Sequence, residues 1–186
     1  RRQRQMCIRD RVYMIDTLGL TDGSVTLSTQ KYPPEMLAHL YSIADCTVNV
    51  ADAEGFGLAT MEALSCGVPI IATMTGGLQE QVTDGKNWFG IGIEPASRAI
   101  IGSQQVPYIY EDRISQEDFT AALDKMYNMS IEERNNLGLA GREHAVNNYG
   151  FDKYKQTWVD EMLAVHERCG SWDNRKEYKS WELITL

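Results

Sequence analysis

Glu54 and Glu62 stand eight residues apart in the run ADAEGFGLATMEALSCGVPIIAT, with Gly55, Phe56, Gly57 and Leu58 between them. Thr47-Val-Asn-Val-Ala51 ahead of them has the character of a buried strand, and good helix formers from Leu58 to Ser65 stop at Gly67. The predicted order is strand, glycine loop, helix N-terminus. Such a helix start exposes unpaired backbone N–H groups and the positive end of the helix dipole, and glycine lets a ligand reach the main chain without Cβ interference. A diphosphate suits that environment. Glu54 in the loop and Glu62 about one turn into the helix can face one crevice at the carboxyl end of a parallel sheet, where carboxylates accept hydrogen bonds from sugar and ribose hydroxyls. Taken singly, Gly55-Phe56-Gly57 is also an ordinary turn, and two glutamates at this spacing are also two solvated side chains.

The elements that must position these residues read as parallel α/β units. Residues 14–19 look like a helix end with Gly19 as its C′ residue, and residues 25–29 like a short β-branched strand. Pro33 and Pro34 open a helix in which Met36, Leu37, Leu40, Tyr41 and Ala44 share a face. The fold class is α/β, a Rossmann-like parallel sheet with flanking helices. Residues 100–114 read as an aromatic, Gln-rich connection. Ser115 then caps a helix with Phe119, Leu123, Met126 and Tyr127 on one face, and Ser130 caps the next, with Glu133 completing a capping box. Phe151, Tyr154, Trp158, Met162 and Val165 give residues 151–167 the pattern of an amphipathic helix packed on a large surface.

The expected organisation has three parts. Residues 1–13 are basic and unpatterned, and QMCIRDR looks like translated sequencing adapter, so they are set aside as non-native, with a genuine basic helix as the alternative. Residues 14–167 form the domain, and residues 168–186 a C-terminal tail.

Composition removes several function classes. With 43% hydrophobic residues in 186, the chain can bury one core, and a formal charge of −8 disfavours nucleic acid as a partner. No apolar run reaches the roughly 20 residues that span a bilayer, so no transmembrane segment and a cytoplasmic location are expected. Cys7, Cys46, Cys66 and Cys169 show no pairing pattern and are expected as reduced thiols. His39, His144 and His166 lie far apart on helical patterns, which favours surface or packing roles, and no His/Cys cluster has metal-ligand spacing.

The assembled string, Glu54-Gly-Phe-Gly-Leu-x-x-x-Glu62-Ala-Leu-x-x-Gly67-x-Pro69, closely resembles the E-x7-E region of GT-B glycosyltransferases of the family-4 type. The likeness continues through Pro69-Ile-Ile-Ala-Thr73 and Thr75-Gly76-Gly77-Leu78-x-Glu80-x-Val82-x-Asp84-Gly85. It implies a retaining, metal-independent transfer of sugar from a nucleotide-sugar donor, with the chain as the C-terminal, donor-binding part of a GT-B fold. The nucleotide sugar would be a substrate, and no cofactor is expected. Glu54 would contact the donor sugar as the catalytic carboxylate. Gly55 and the backbone N–H groups of Phe56, Gly57 and Leu58 would meet the sugar and phosphates, Glu62 would bind the ribose, and Gly76 and Gly77 would leave room beside the phosphates. The partners implied are the donor, an acceptor glycan, lipid or protein, and an N-terminal acceptor domain of the same chain that is missing here. The pattern departs from many relatives at Ala51-Asp52-Ala53, where a Pro-Ser pair is usual, and at Asn87-Trp88-Phe89, where a small glycine turn is usual.

A different Rossmann enzyme, such as a nucleotide-sugar epimerase, needs a GxGxxG loop that the sequence lacks. A sugar-nucleotide-binding module without turnover stays open. Because position 57 lies in a loop, proline there is expected to abolish nucleotide-sugar binding while leaving the fold largely intact.

Overall fold

The run Ile70-Ile-Ala-Thr73 has no polar alternation, so as a strand it must be covered on both faces. In the computed structural model all four residues are buried, and the rest of the molecule is arranged around them. Residues 2–171, 173–174 and 176 are described. They fall into two units, Arg1–Pro34 and Glu35–Leu186.

The first unit is a helix and a connection. Helix α1, Arg2–Thr17, runs without a break through the boundary expected after residue 13. It ends as foreseen, with Gly19 at φ 68° and the N–H of Leu18 bonded to the Met14 carbonyl at 2.9 Å. Residues 25–29 form no strand. Their β-branched side chains supply propensity, but a strand is held by its ladder, and no partner strand pairs with this segment.

The second unit begins with α2, Pro34–Ser42, and alternates β1 (Thr47–Asn49), α3 (Leu58–Ser65), β2 (Ile70–Thr73), α4 (Leu78–Val82) and β3 (Gly90–Ile93). The strands pair in parallel in the order β1-β2-β3, with Thr47 opposite Ile70 and Ile70 opposite Gly90. The alternation of β2 splits the core. Ile70 and Ala72 pack with Ala63, Leu64, Leu78, Val82, Phe89 and Ala145 on one face, while Ile71 packs with Ile91, Ile93, Ala122 and Met126 on the other. The expected Rossmann-like parallel sheet with flanking helices is the fold observed.

Residues expected as a plain connection form an antiparallel hairpin, β4 (Ser97–Ile100) and β5 (Tyr110–Arg113), with Arg98 opposite Asp112. Helix α5, Gln116–Asn128, is capped by Ser115, whose Oγ accepts from the Asp118 N–H at 3.0 Å. Its buried residues are Ala122 and Met126, so Leu123 and Tyr127 leave the expected face and stay exposed. Helix α6, Ile131–Tyr149, has the predicted capping box of Ser130 and Glu133. Helix α7, Phe151–Cys169, buries none of its residues, and its stripe from Phe151 to Val165 is exposed. The periodicity is that of a helix, but the large packing surface expected for it is not found among the described residues. The expected tail is met only by Arg168 and Cys169, which complete α7, and otherwise lies largely outside the described residues.

Helix α6 covers α3 through small residues. A Cβ on Gly138 would overlap the carbonyl oxygen of Gly67, and one on Gly141 would lie 2.5 Å from Leu64 Cδ2. Because the first obstacle is main chain, it cannot rotate away. Gly138→Ala is expected to destabilise the protein by about 1–3 kcal/mol, read as a lower denaturant midpoint. An unchanged midpoint would show that α6 is not seated on the Gly67 turn.

Candidate functional site

The site stands where β1 and β2 end. Residues 52–57 lead from β1 to Gly57, which has φ 87° and ψ 62° and serves as the N-cap of α3 with no side-chain cap. The first helical bond at this end runs from the Met61 N–H to the Gly57 carbonyl at 3.1 Å. The N–H groups of Leu58, Ala59 and Thr60 precede it and fall outside the intrahelical ladder. Leu58 is 71% exposed, an unusual setting for a leucine and one that leaves this helix end open.

A second loop, residues 75–77, lies directly on the first. The Gly77 N–H bonds to the Glu54 carbonyl at 3.3 Å. A Cβ on Gly76 would overlap that same carbonyl oxygen, and one on Gly77 would lie 2.6 Å from the Gly55 oxygen. Gly76 and Gly77 are therefore required by contact between two main chains, whatever else they do.

Position 57 departs from expectation. A Cβ there would sit 2.6 Å from Leu78 Cδ2 and 2.7 Å from Thr60 Oγ1, and the backbone is left-handed. Proline, with φ fixed near −65°, cannot adopt it, so the tolerance inferred from loop position does not hold.

The loop is latched by a residue the sequence reading passed over. Gln81 of α4 is fully buried; its Nε2 donates to the Phe56 carbonyl, and its Oε1 lies 2.5 Å from Thr60 Oγ1. The Thr60 hydroxyl also lies 2.8 Å from the Gly57 carbonyl and has one proton to share between these two acceptors. Phe56 meets Tyr149 edge-on, with ring centroids 5.8 Å apart. His144 stacks on Phe89 at 4.2 Å and bonds through Nε2 to the Glu80 carbonyl at 2.9 Å, which is the packing role expected of it.

Glu62 is placed differently. It is exposed on α3, and its Oε2 accepts from Tyr41 Oη of α2 at 3.0 Å. That bond goes to neither glycine loop, and Oε1 has no protein partner among the described residues. Burial, followed by the hydrogen bond and charge of Glu62, pushes the Tyr41 hydroxyl up to about 12.

The hairpin closes the other side. Asp112 Oδ2 accepts from Thr75 Oγ1 at 2.7 Å, and its N–H donates to the Asp52 carbonyl at 2.7 Å. Arg98 Nε donates to Asp112 Oδ1 at 2.9 Å, and Arg113 bridges Asp52 at 2.6 Å and Glu111 at 2.7 Å. The Thr75 hydroxyl, then Arg98, holds the Asp112 carboxyl below the usual range. Asp52 and Asp45, without evident partners in sequence, thus both have one; Asp45 pairs with Arg134 at 3.3 Å.

A parallel sheet with two glycine-rich loops and an uncapped helix start at its carboxyl end defines the Rossmann-like half of a GT-B architecture. The chain belongs to the family of glycosyl transferases group 1, whose family model matches residues 12–144. D-inositol 3-phosphate glycosyltransferase of Paenarthrobacter aurescens strain TC1 is 29% identical over 133 residues, which is 72% of this chain and 27% of that protein. The enzyme of the same name from Corynebacterium jeikeium strain K411 is 46% identical over 55 residues, 30% of this chain and 13% of that one. The chain thus spans between 13% and 27% of the length of these curated relatives. Among solved structures, sucrose-phosphate synthase from Thermosynechococcus elongatus superposes with a TM-score of 0.64 at 24% identity, covering 84% of this chain and 34% of that one. Anabaena HepE in complex with UDP-glucose gives 0.63 at 19% identity, covering 86% and 37%. At these identities the likeness establishes the fold.

Two outcomes follow from the geometry. Gln81→Leu keeps the volume but removes the donor to the part-buried Phe56 carbonyl, at an expected cost of about 1–3 kcal/mol in the denaturant midpoint. No change would show that the latch is not formed. For Tyr41 the folded state holds the phenolic proton more tightly than the unfolded state, whose value is 10.0. Its contribution is full below pH 10 and is lost as pH rises from 10 to about 12. Tyr41→Phe should lack this loss when stability is followed by urea unfolding across that window. Parallel curves for the two proteins would remove the Tyr41–Glu62 bond.

Proposed function

We propose that this chain is the donor-binding side of a retaining, metal-independent glycosyltransferase that moves a sugar from a nucleoside-diphosphate donor to an acceptor. The observation that carries the reading is the Glu54 loop, pressed backbone to backbone against Gly76 and Gly77 beside the uncapped start of α3. That arrangement leaves main-chain N–H groups and the positive helix end free for a diphosphate. The UDP-glucose complex of the structurally similar HepE makes UDP-glucose the first donor to try.

In this reading Glu54 lies against the donor sugar and offsets the positive charge of an oxocarbenium-like transition state. Its carboxylate has no side-chain hydrogen bond to protein among the described residues, so it is available. Gly55 and the N–H groups of Phe56, Gly57 and Leu58 bind the sugar and phosphate oxygens. Glu62 binds the ribose with Oε1, its other oxygen being held by Tyr41. The acceptor, a glycan, lipid or protein, would be held mainly by another domain of the same protein. No helix among the described residues is long and apolar enough to cross a membrane.

A binding module without turnover is the second reading, because the same loops and uncapped helix start would hold a donor whether or not it is turned over. The two separate on the carboxylates in the complete protein. Glu54→Gln is expected to lower turnover of UDP-glucose roughly 100-fold with little change in donor KM, as for loss of a group that acts in the transition state. Glu62→Gln should instead raise donor KM several-fold and spare kcat. Equal, small effects of both on catalysis would sink the assignment, and donor binding without any turnover would favour the module.

A further inference from the structure

Among the described residues no side chain holds Glu54, so its position is set by its main chain, and that main chain is gripped from two directions by one strand. Two residues before it, the Asp52 carbonyl accepts the Asp112 N–H and the Asp52 carboxylate meets Arg113. Beneath it, the loop of Gly76 and Gly77 is tied through Thr75 Oγ1 to the Asp112 carboxylate. The grip is rigid at its own base, because Arg98 pairs with Asp112 across the hairpin. It also joins two unusual places: Asp52 stands where the motif departs from many relatives, and Arg113 lies in the hairpin that replaces the expected plain connection.

From this geometry we propose that the β4–β5 hairpin is a clamp on the donor loop, with Asp112, Arg113 and Thr75 as positioning residues for Glu54. The proposal rests on the donor-site reading for its effect on turnover, but not for its structural half. A strand that fixes both loops sets where the Glu54 carboxylate stands relative to a bound sugar. Small displacements of a reacting group carry large rate penalties, while binding through other contacts persists. The clamp therefore acts on kcat more strongly than on donor affinity.

The test uses the complete protein that carries this chain, with UDP-glucose as the probe and amide exchange as a readout free of any ligand. Thr75→Val keeps the shape and removes the hydroxyl. It is expected to speed exchange over residues 54–58 about tenfold, with β2 unchanged. It should also lower kcat for sugar release from UDP-glucose roughly 10- to 100-fold, with KM moved less than about threefold. Thr75→Ser restores the hydroxyl and is expected to restore both. Asp112→Ala should reproduce the loss, and because it removes the acceptor of the Thr75 hydroxyl as well as the Arg98 partner, adding Thr75→Val to it should add little. Wild-type exchange and kcat in Thr75→Val would overturn the clamp. So would a serine variant no better than valine, or loss of protection that extends through β2, which would assign Thr75 a general structural role. If the wild-type protein neither binds nor turns over UDP-glucose, the donor reading for that sugar nucleotide falls, and the exchange measurement still decides whether the hairpin holds the loop.

Discussion

The contact between the Glu54 carbonyl and Gly76 is the constraint on which the site depends. Two main chains approach more closely there than any side chain permits, and they do so at the ends of adjacent parallel strands. The approach fixes the spacing between the loops after β1 and β2. It also explains why glycine recurs in both, at positions 76 and 77 in one and 57 in the other. Each serves closeness or a left-handed turn, and the openness of the helix start is a by-product of the same geometry. An N-cap glycine offers no side-chain oxygen, so the first N–H groups of α3 stay available.

Close main chains carry polar groups into the interior, and those groups must be satisfied. Gln81 does this at the centre, donating to Phe56 and facing Thr60, while Leu78 and Val82 on the same short helix bury fully in the core. One turn of α4 thus serves packing and loop geometry together. A buried amide is costly only while unpaired, and here both its ends are engaged. The bonds of Gln81 therefore specify a loop conformation rather than add net stability, which suits a surface that must be pre-shaped for a ligand.

Much of this was legible in the sequence, for identifiable reasons. The strand at β2, the caps at Ser115 and Ser130 and the glycine end of α1 are local signals, set by neighbours within four residues, whereas the burial expected of residues 47–51 is not met, Val48 and Val50 being exposed. The motif placed Glu54, Gly57, Gly76 and Gly77 in two loops, and those loops meet. What was not legible depends on partners far along the chain. Residues 25–29 have strand composition but no ladder, and the connection expected over residues 100–114 holds β5 and the end of β4, which pair as a hairpin. Tyr127 shares the helical period of Met126 but not its burial, because only one of two adjacent stripes can face β3. Gln81 sits in LQEQV, where nothing local marks one glutamine as buried and the other as exposed.

The electrostatics of the site follow from the same hairpin. The proposed diphosphate would bring negative charge to a region that already holds Asp52, Glu54 and Asp112, in a chain of formal charge −8. Unpaired, those carboxylates would repel it. Arg113 is shared by Asp52 and Glu111, and Arg98 is committed to Asp112, so the acids nearest the loop bases are offset by guanidinium groups from the hairpin itself. These pairs are partly solvated and contribute little to stability, and with two guanidinium groups against Asp52, Glu54, Glu111 and Asp112 they reduce the local negative field without reversing it. Glu54 is left without such a partner at the loop. Under the donor-site proposal, that imbalance would suit a carboxylate facing developing positive charge on a sugar, with the phosphates met a few residues away by the N–H groups of α3.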